Sequence, residues 1–223
     1  MIKNESKLVL FDWGGVADTT DFENKYNFKQ LMCDAIRYAF DIRIDYTDEE
    51  IWNDLQRVEY FKLSHDAENM VQFQDQLKQI IKKVFHSEDY SEAIQNYCEY
   101  TKSHHKFIAY NEDIIFLQYE TRARCKTGML TDLTWLDAFR IREQYDLNRF
   151  DYTFLSYLIG KSKRECDVYL YVEHETGIKG GNILFIDDME ENVKAAEQLG
   201  WQTYLYKGQG CSGIKSAIDA FLS

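Results

Sequence analysis

Lys7-Leu-Val-Leu-Phe11 is an uninterrupted apolar run that ends in the polar, glycine-rich turn Asp12-Trp13-Gly14-Gly15. A run this short, without polar alternation, reads as a strand buried on both faces. Similar runs recur late in the chain at Thr127 to Leu130, Tyr152 to Leu155, Ile183 to Ile186 and Thr203 to Tyr206. Helical patterns lie between them. Leu133, Leu136, Phe139 and Ile141 partly mark one. Met189, Val193, Ala196 and Leu199 mark another, with Gly200 where a C-terminal capping glycine belongs. Ile214, Ile218, Phe221 and Leu222 mark a terminal helix. Strands alternating with helices require crossover connections, so the expected fold is α/β with a doubly wound parallel sheet.

The stretch from about Asp21 to Tyr110 carries no comparable strand signal. Phe28, Leu31, Met32, Ala35, Ile36, Ala39 and Phe40 follow a helical stripe. Thr47-Asp-Glu-Glu50 is a capping-box pattern ahead of Ile51, Leu55 and Val58. Met70, Phe73, Leu77, Ile80, Ile81, Val84 and Phe85 form a further stripe, and Ile94, Tyr97 and Cys98 a shorter one. The division read from these patterns is an α/β core over 1–18 and 111–223, with a helical block over 19–110 inserted after the first strand.

Composition removes several function classes. The 223 residues carry a formal net charge of −12, which repels a polyanion and argues against nucleic-acid binding. No stretch approaches the roughly 18 apolar residues of a membrane span. The chain has no Pro, so proline-rich linkers and ligand segments are absent. The five cysteines are odd in number and form no C-x-x-C pair. With a short polar start from Met1 to Lys7, the expectation is a soluble cytoplasmic protein.

Ligands of a parallel sheet collect at the carboxyl ends of its strands. The first strand delivers Asp12 there, the second Thr131 and Asp132, the third Ser156 and then Lys163, the fourth Asp187 and Asp188. Asp12, Asp187 and Asp188 at one sheet edge would repel one another and raise each other's pKa. A hard divalent cation resolves that conflict, and Mg2+ suits a few carboxylates plus water. Lys163 adds positive charge, and such a site attracts phosphate despite the acidic surface. A carboxylate at the end of a buried strand can also serve as a nucleophile.

Four segments resemble the haloacid dehalogenase (HAD) superfamily. They are Leu8-Val-Leu-Phe-Asp-Trp-Gly-Gly-Val16, Met129-Leu-Thr-Asp132, Ser156-x-x-x-Gly160-x-x-Lys163, and Ile183-Leu-Phe-Ile-Asp-Asp-Met-Glu-Glu-Asn192. Arg164 stands where Pro is common in that family. The resemblance implies a Mg2+-dependent phosphatase acting through an aspartyl-phosphate on a small phosphorylated metabolite, with a sugar phosphate as first choice. It makes Asp12 the nucleophile and a metal ligand, and has Thr131 bind a phosphoryl oxygen with help from the Asp132 amide. Lys163 would bind the phosphoryl group and offset Asp12. Asp188 would hold Mg2+ directly, Asp187 directly or through water, and the Gly14 carbonyl would complete the metal site. The helical block would be the family's cap.

One position departs from the pattern. Phosphatases of this family usually have Asp two residues after the nucleophile as general acid and base, and dehalogenases a larger side chain. Here it is Gly14. Two alternatives follow, a catalytically weakened protein that binds a phosphorylated ligand or a protein partner, and a dehalogenase-like hydrolase. Lys161 is the nearest rival of Lys163. His104-His105 reads as solvated surface, and Cys125 and Trp13 as packing. Oligomeric state is not legible in the sequence.

Overall fold

The computed structural model describes residues 3–18, 28–40, 47–57, 71, 72, 74, 75, 77, 78, 91–104 and 110–223. Five strands, β1 (Asn4–Phe11), β2 (Cys125–Thr131), β3 (Tyr152–Leu155), β4 (Ile183–Asp187) and β5 (Gln202–Leu205), form one sheet in the order β3-β2-β1-β4-β5. All neighbouring pairs are parallel. The order reverses direction on either side of β1, which places the topological switch point at the carboxyl ends of β1 and β4. β1 pairs with both central neighbours, Phe11 lying opposite Met129 on one side and Ile186 on the other. Asp12 then donates its amide to the Ile186 carbonyl at 2.9 Å.

The helices with described bounds are α1 (Phe28–Phe40), α2 (Asp48–Arg57), α3 (Ser91–His104), α4 (Glu112–Arg122), α5 (Trp135–Gln144), α6 (Ser156–Ile159), α7 (Asp167–Thr176), α8 (Glu190–Gln198) and α9 (Cys211–Leu222), and residues 71, 72, 74, 75, 77 and 78 are helical as well. The chain forms two compact units. The first spans Met1–Phe22, Tyr110–Asp132 and Asp146–Ser223, and holds the sheet. The second spans Glu23–Ala109 and Leu133–Tyr145, so α5 groups with the inserted helices.

In the sheet unit, one face of the core joins Leu8, Leu10, Leu130, Phe154, Ile183 and Phe185 to Val168, Tyr169 and Val172 of α7 and Ala196 of α8. Tyr169, Phe185 and Trp201 meet edge to face, with centroids 5.4–6.2 Å apart. Each such aromatic contact adds about 0.5–1.5 kcal/mol beyond area burial. The Trp201 indole N–H donates to Glu173 at 2.9 Å. Strand alternation sends the equally buried Val9, Phe11, Leu184 and Ile186 to the opposite face. The α4 and α9 helices also pack against the sheet and each other. Gly200 takes φ +77° just past α8. The Trp201 amide reaches the Ala196 carbonyl and the Gly200 amide that of Glu197, the paired bonds of a Schellman cap.

Periodicity left α4, α6 and α7 unmarked. In α4 the inward face includes Gln118 and Thr121 while Phe116 is exposed, so apolar residues do not trace the buried stripe. In α7 Leu170 points outward beside buried Tyr169. The α6 helix is a single turn ended by Gly160 at φ +64°.

In the helical unit, α1 buries Leu31, Met32, Ala35, Ile36 and Ala39, and α3 buries Ile94, Tyr97, Cys98 and Thr101. The capping box is formed, with the Glu50 amide on the Thr47 hydroxyl and the Thr47 amide on the Glu50 carboxylate. A second box, Thr134 with Asp137, starts α5. Leu77 is buried. The expected stripe positions Met70, Phe73, Ile80, Ile81, Val84 and Phe85, together with Val58 and His105, lie outside the described residues. No described helix is long and apolar enough to cross a membrane.

Asp151 ties β3 to β2 before the paired register begins. Its carboxylate accepts from the Thr127 amide and from Lys3, both at 3.0 Å, and its own amide donates to the Thr127 carbonyl. Partial burial opposes its charge, but the Thr127 amide, Lys3 and Lys126 outweigh that and hold the carboxyl below its ordinary range. A depressed carboxyl contributes stability above its unfolded pKa and loses it as pH falls through the folded value. Asp151→Asn is expected to cost about 1 kcal/mol at neutral pH, after solvent screening. In urea denaturation the gap between wild type and variant should close below about pH 4, where the unfolded carboxyl also protonates.

Candidate active site

The switch point gathers side chains from four strand ends of the sheet unit. Asp12 follows β1 and is buried, and its Oδ1 accepts the Trp13 amide at 2.7 Å. Asp187 ends β4 with no exposure. Thr131 ends β2, is buried, and pairs in register with Leu155. Lys163 comes from the segment between α6 and α7, and its Nζ lies 2.7 Å from Asp12 Oδ2 and 2.8 Å from Asp187 Oδ2. Lys161, the rival, pairs with Asp167 at the surface instead.

Asp12, Asp187 and Asp188 each offer a carboxylate oxygen within 4.8 Å of the others. They are not equivalent. Asp187 accepts from three donors: Lys163, the Asn192 side-chain amide at 3.0 Å and the Met189 backbone amide at 2.8 Å. Asp188 is half-buried and leans across Gly15, whose left-handed backbone has φ +70°. A Cβ at Gly15 would lie 2.2 Å from Asp188 Oδ2, so only glycine leaves room for this carboxylate. Lys207 donates to the Asp188 carbonyl at 3.0 Å.

Electrostatics follow from this crowding. Burial pushes the Asp12 carboxyl well above its ordinary range, Lys163 opposes the shift, and the charges of Asp187 and Asp188 add to it. Asp188 is raised too, by burial and then by Asp187. For Lys163, burial disfavours the ammonium, but Asp12, Asp187 and Asp132 outweigh it and keep the group cationic. Counted as ionised, three carboxylates against one ammonium leave a formal charge of two negative units at a partly desolvated sheet edge, and burial together with this crowding is why the Asp12 and Asp188 carboxyls are raised.

The site also contains groups whose role the sequence left unread. The Asp132 carboxylate accepts from the Ser162 hydroxyl at 2.7 Å and from the Lys163 amide at 3.0 Å. The Tyr169 hydroxyl lies 3.1 Å from the Lys163 carbonyl and 3.3 Å from that of Asn192. No motif spacing marks Tyr169. A polar Asn192 on the inner face of a helix was the one available signal. Gly14 is exposed in the turn, and an added Cβ would meet no described atom within 4 Å. Trp13 is buried against Tyr110, with the Arg149 guanidinium 5.3 Å from its ring, so it packs. Cys125 is buried as well, and burial pushes its thiol up to about 11.

No protein-family model matches the chain, and no curated protein sequence matches it. Solved structures do match. A HAD-family enzyme from Bacteroides thetaiotaomicron, in complex with magnesium and inorganic phosphate, is 20% identical with a TM-score of 0.67, covering 93% of this chain and 98% of that one. A predicted HAD-like family hydrolase from Porphyromonas gingivalis is 18% identical with a TM-score of 0.69, covering 94% and 96%. A 2-haloacid dehalogenase from Pseudomonas syringae pv. Tomato DC3000 is 14% identical with a TM-score of 0.65, covering 99% and 100%. With a five-stranded parallel sheet in the order 3-2-1-4-5 and these structural matches over nearly the whole chain, the protein is, by fold, haloacid dehalogenase-like.

Proposed function

We propose that the chain is a Mg2+-dependent phosphatase that hydrolyses a small phosphorylated metabolite through an aspartyl-phosphate on Asp12. The observation that carries this reading is the cluster of Asp12, Asp187 and Asp188 with Lys163 bonded into it, which leaves an excess of negative charge that a divalent cation neutralises. The hard oxygen donors fit Mg2+. Asp12, Asp188 and the Gly14 carbonyl would hold it, with Asp187 engaged by Lys163, Asn192 and Met189 alongside. When bound, the ion supplies positive charge to the phosphoryl oxygens. The Bacteroides relative crystallised with magnesium and inorganic phosphate supports the same pairing.

In the proposed reaction an Asp12 oxygen attacks phosphorus, and the bond from phosphorus to the leaving oxygen breaks as the new one forms. Lys163 and the Thr131 hydroxyl, with the Asp132 amide, bind the transferring group and orient it in line with Asp12. Water then attacks the phosphorus of the aspartyl-phosphate, releasing inorganic phosphate and restoring the carboxylate. The helical unit is proposed as the cap that excludes water and selects the substrate. We place the activity in the cytoplasm, with a sugar phosphate as the first substrate to try. Gly14 favours a second reading, a phosphate-ligand-binding protein of low turnover. A screen of sugar, nucleotide and acyl phosphates with and without EDTA, beside a halide-release assay, separates a phosphatase, a binding protein and a dehalogenase.

Asp12→Asn should abolish turnover while preserving the fold, because it keeps size and removes the nucleophilic charge. Beryllium fluoride should bind wild type only with Mg2+. Residual activity above a few per cent of wild type would show that Asp12 is not the nucleophile.

Asp188→Asn should weaken Mg2+ binding more than Asp187→Asn, whose loss as a neighbour of the metal would cost about 10–100-fold. Without metal the order on stability reverses. A carboxyl raised in the folded state subtracts stability at neutral pH, a penalty that disappears on the acid side. Asp188→Asn should therefore raise the metal-free melting temperature, and Asp187→Asn should lower it, because the amide keeps one acceptor oxygen but loses the other and the charge that faces the buried Lys163. Activity titrations and melting curves with Mg2+ or EDTA decide the assignment. Equal effects of the two variants would refute it.

Gly14 leaves the departing oxygen without a proton donor at that position. Rates should depend steeply on leaving-group pKa, with acyl and aryl phosphates fast and primary alkyl phosphates slow. A Cβ at Gly14 would meet no described atom within 4 Å, so the start of a longer side chain is not blocked there. Gly14→Asp should flatten the dependence and accelerate alkyl phosphates about 10-fold or more. An unchanged dependence in a well-folded Gly14→Asp protein would mean that another group already acts as the acid.

A further inference from the structure

The Lys163 ammonium sits between two carboxylates at the tip of a long side chain, so where it lies depends on where its backbone is held. Its segment, residues 161–166, lies outside regular helix and strand, so no ladder of backbone hydrogen bonds fixes it. Two side chains do so instead. Asp132, the residue after β2, accepts the Lys163 amide at 3.0 Å and the neighbouring Ser162 hydroxyl at 2.7 Å. On the other side, the Tyr169 hydroxyl reaches the Lys163 carbonyl at 3.1 Å. The same hydroxyl is 3.3 Å from the carbonyl of Asn192, whose side chain donates to Asp187. Lys163 is thus held at both ends of its residue, once to the end of β2 and once to the helix turn that anchors Asp187.

We propose that Asp132 and Tyr169 are positioning residues for Lys163, fixing its backbone so that its ammonium bridges Asp12 and Asp187. Resting on the phosphatase reading, this gives Asp132 two roles. Its amide would bind the phosphoryl group, and its carboxylate, bonded to the Lys163 amide, would set the distance from that amide to Lys163. A misplacement of about 1 Å in such a group costs about 10²-fold in rate. The carboxylate also adds negative charge near Lys163, which is a separate effect with a different signature.

The test compares Asp132→Ala, Asp132→Asn and Tyr169→Phe with wild type in two measurements. The first, amide hydrogen exchange at Lys163, needs no substrate. The second is kcat and KM on an aryl phosphate with Mg2+. Asp132→Ala should speed exchange at Lys163 and lower kcat/KM by about 10²-fold, mainly in kcat. Asp132→Asn keeps an acceptor oxygen and should recover most of both. Tyr169→Phe keeps the ring in the core, so it carries the test if Asp132→Ala folds poorly, and it should show the same pattern more weakly. Unchanged exchange and kinetics in Asp132→Ala and Tyr169→Phe would overturn the proposal. So would an Asp132→Asn as impaired as Asp132→Ala, since charge rather than position would then be the cause. If wild type hydrolyses no phosphate ester, the phosphatase reading fails, while the exchange measurement still decides whether these residues hold Lys163.

Discussion

The contact on which the site depends is the Lys163 ammonium, 2.7 Å from Asp12 and 2.8 Å from Asp187. Both carboxylates are buried, and burying charge is costly unless it is paired and hydrogen-bonded. Removing one partner of a buried pair typically costs about 3–5 kcal/mol, because the other charge is left stranded. Lys163 therefore makes it possible for two acidic strand ends to lie side by side under a folded chain. The register of β1 against β4 brings those ends together, with the Asp12 amide on the Ile186 carbonyl.

Around that contact the sheet unit divides its polar groups by task. Asp187 is consumed by protein donors and behaves as a strut between Lys163, Asn192 and the start of α8. Asp188, the next residue, turns out of the strand and rests across the bare Cα of Gly15. Adjacent identical residues thus acquire different chemistry because a strand alternates its side chains and ends between them. The cost of this arrangement is visible in the raised carboxyls of Asp12 and Asp188, both traceable first to burial. Strain of this kind at a strand end is what a bound cation would relieve.

Much of the core was legible because its signal is local. Continuous apolar runs mark β1 and β4, where neither face meets water, and Gly200 marks the end of α8 because few other residues tolerate its backbone. Helices whose buried face includes polar side chains were not legible. Gln118 and Thr121 lie inward in α4, and in α7 the exposed Leu170 interrupts the buried set of Val168, Tyr169 and Val172. The pairing of α5 with the inserted helices was equally invisible, since its apolar residues are consistent with either unit.

By itself the sequence determined which chemistry reaches the sheet edge: Asp12, Thr131, Asp132, Asp187 and Asp188 lie at or just past their strand ends, Lys163 follows β3 after one helical turn and a short loop, and a parallel sheet brings all its strand ends to one side. Spacing cannot rank groups of the same type within a few residues of each other. The family resemblance already preferred Lys163 to Lys161 and Asp188 to Asp187, but only the tertiary structure supplies the bonds that distinguish them and turns the Asp132 carboxylate and the Tyr169 hydroxyl onto the backbone of Lys163. Those choices depend on bonds between residues 5 to more than 100 positions apart, such as Asn192 to Asp187 and Lys163 to Asp12. No local pattern records such contacts, because they exist only after the chain has packed.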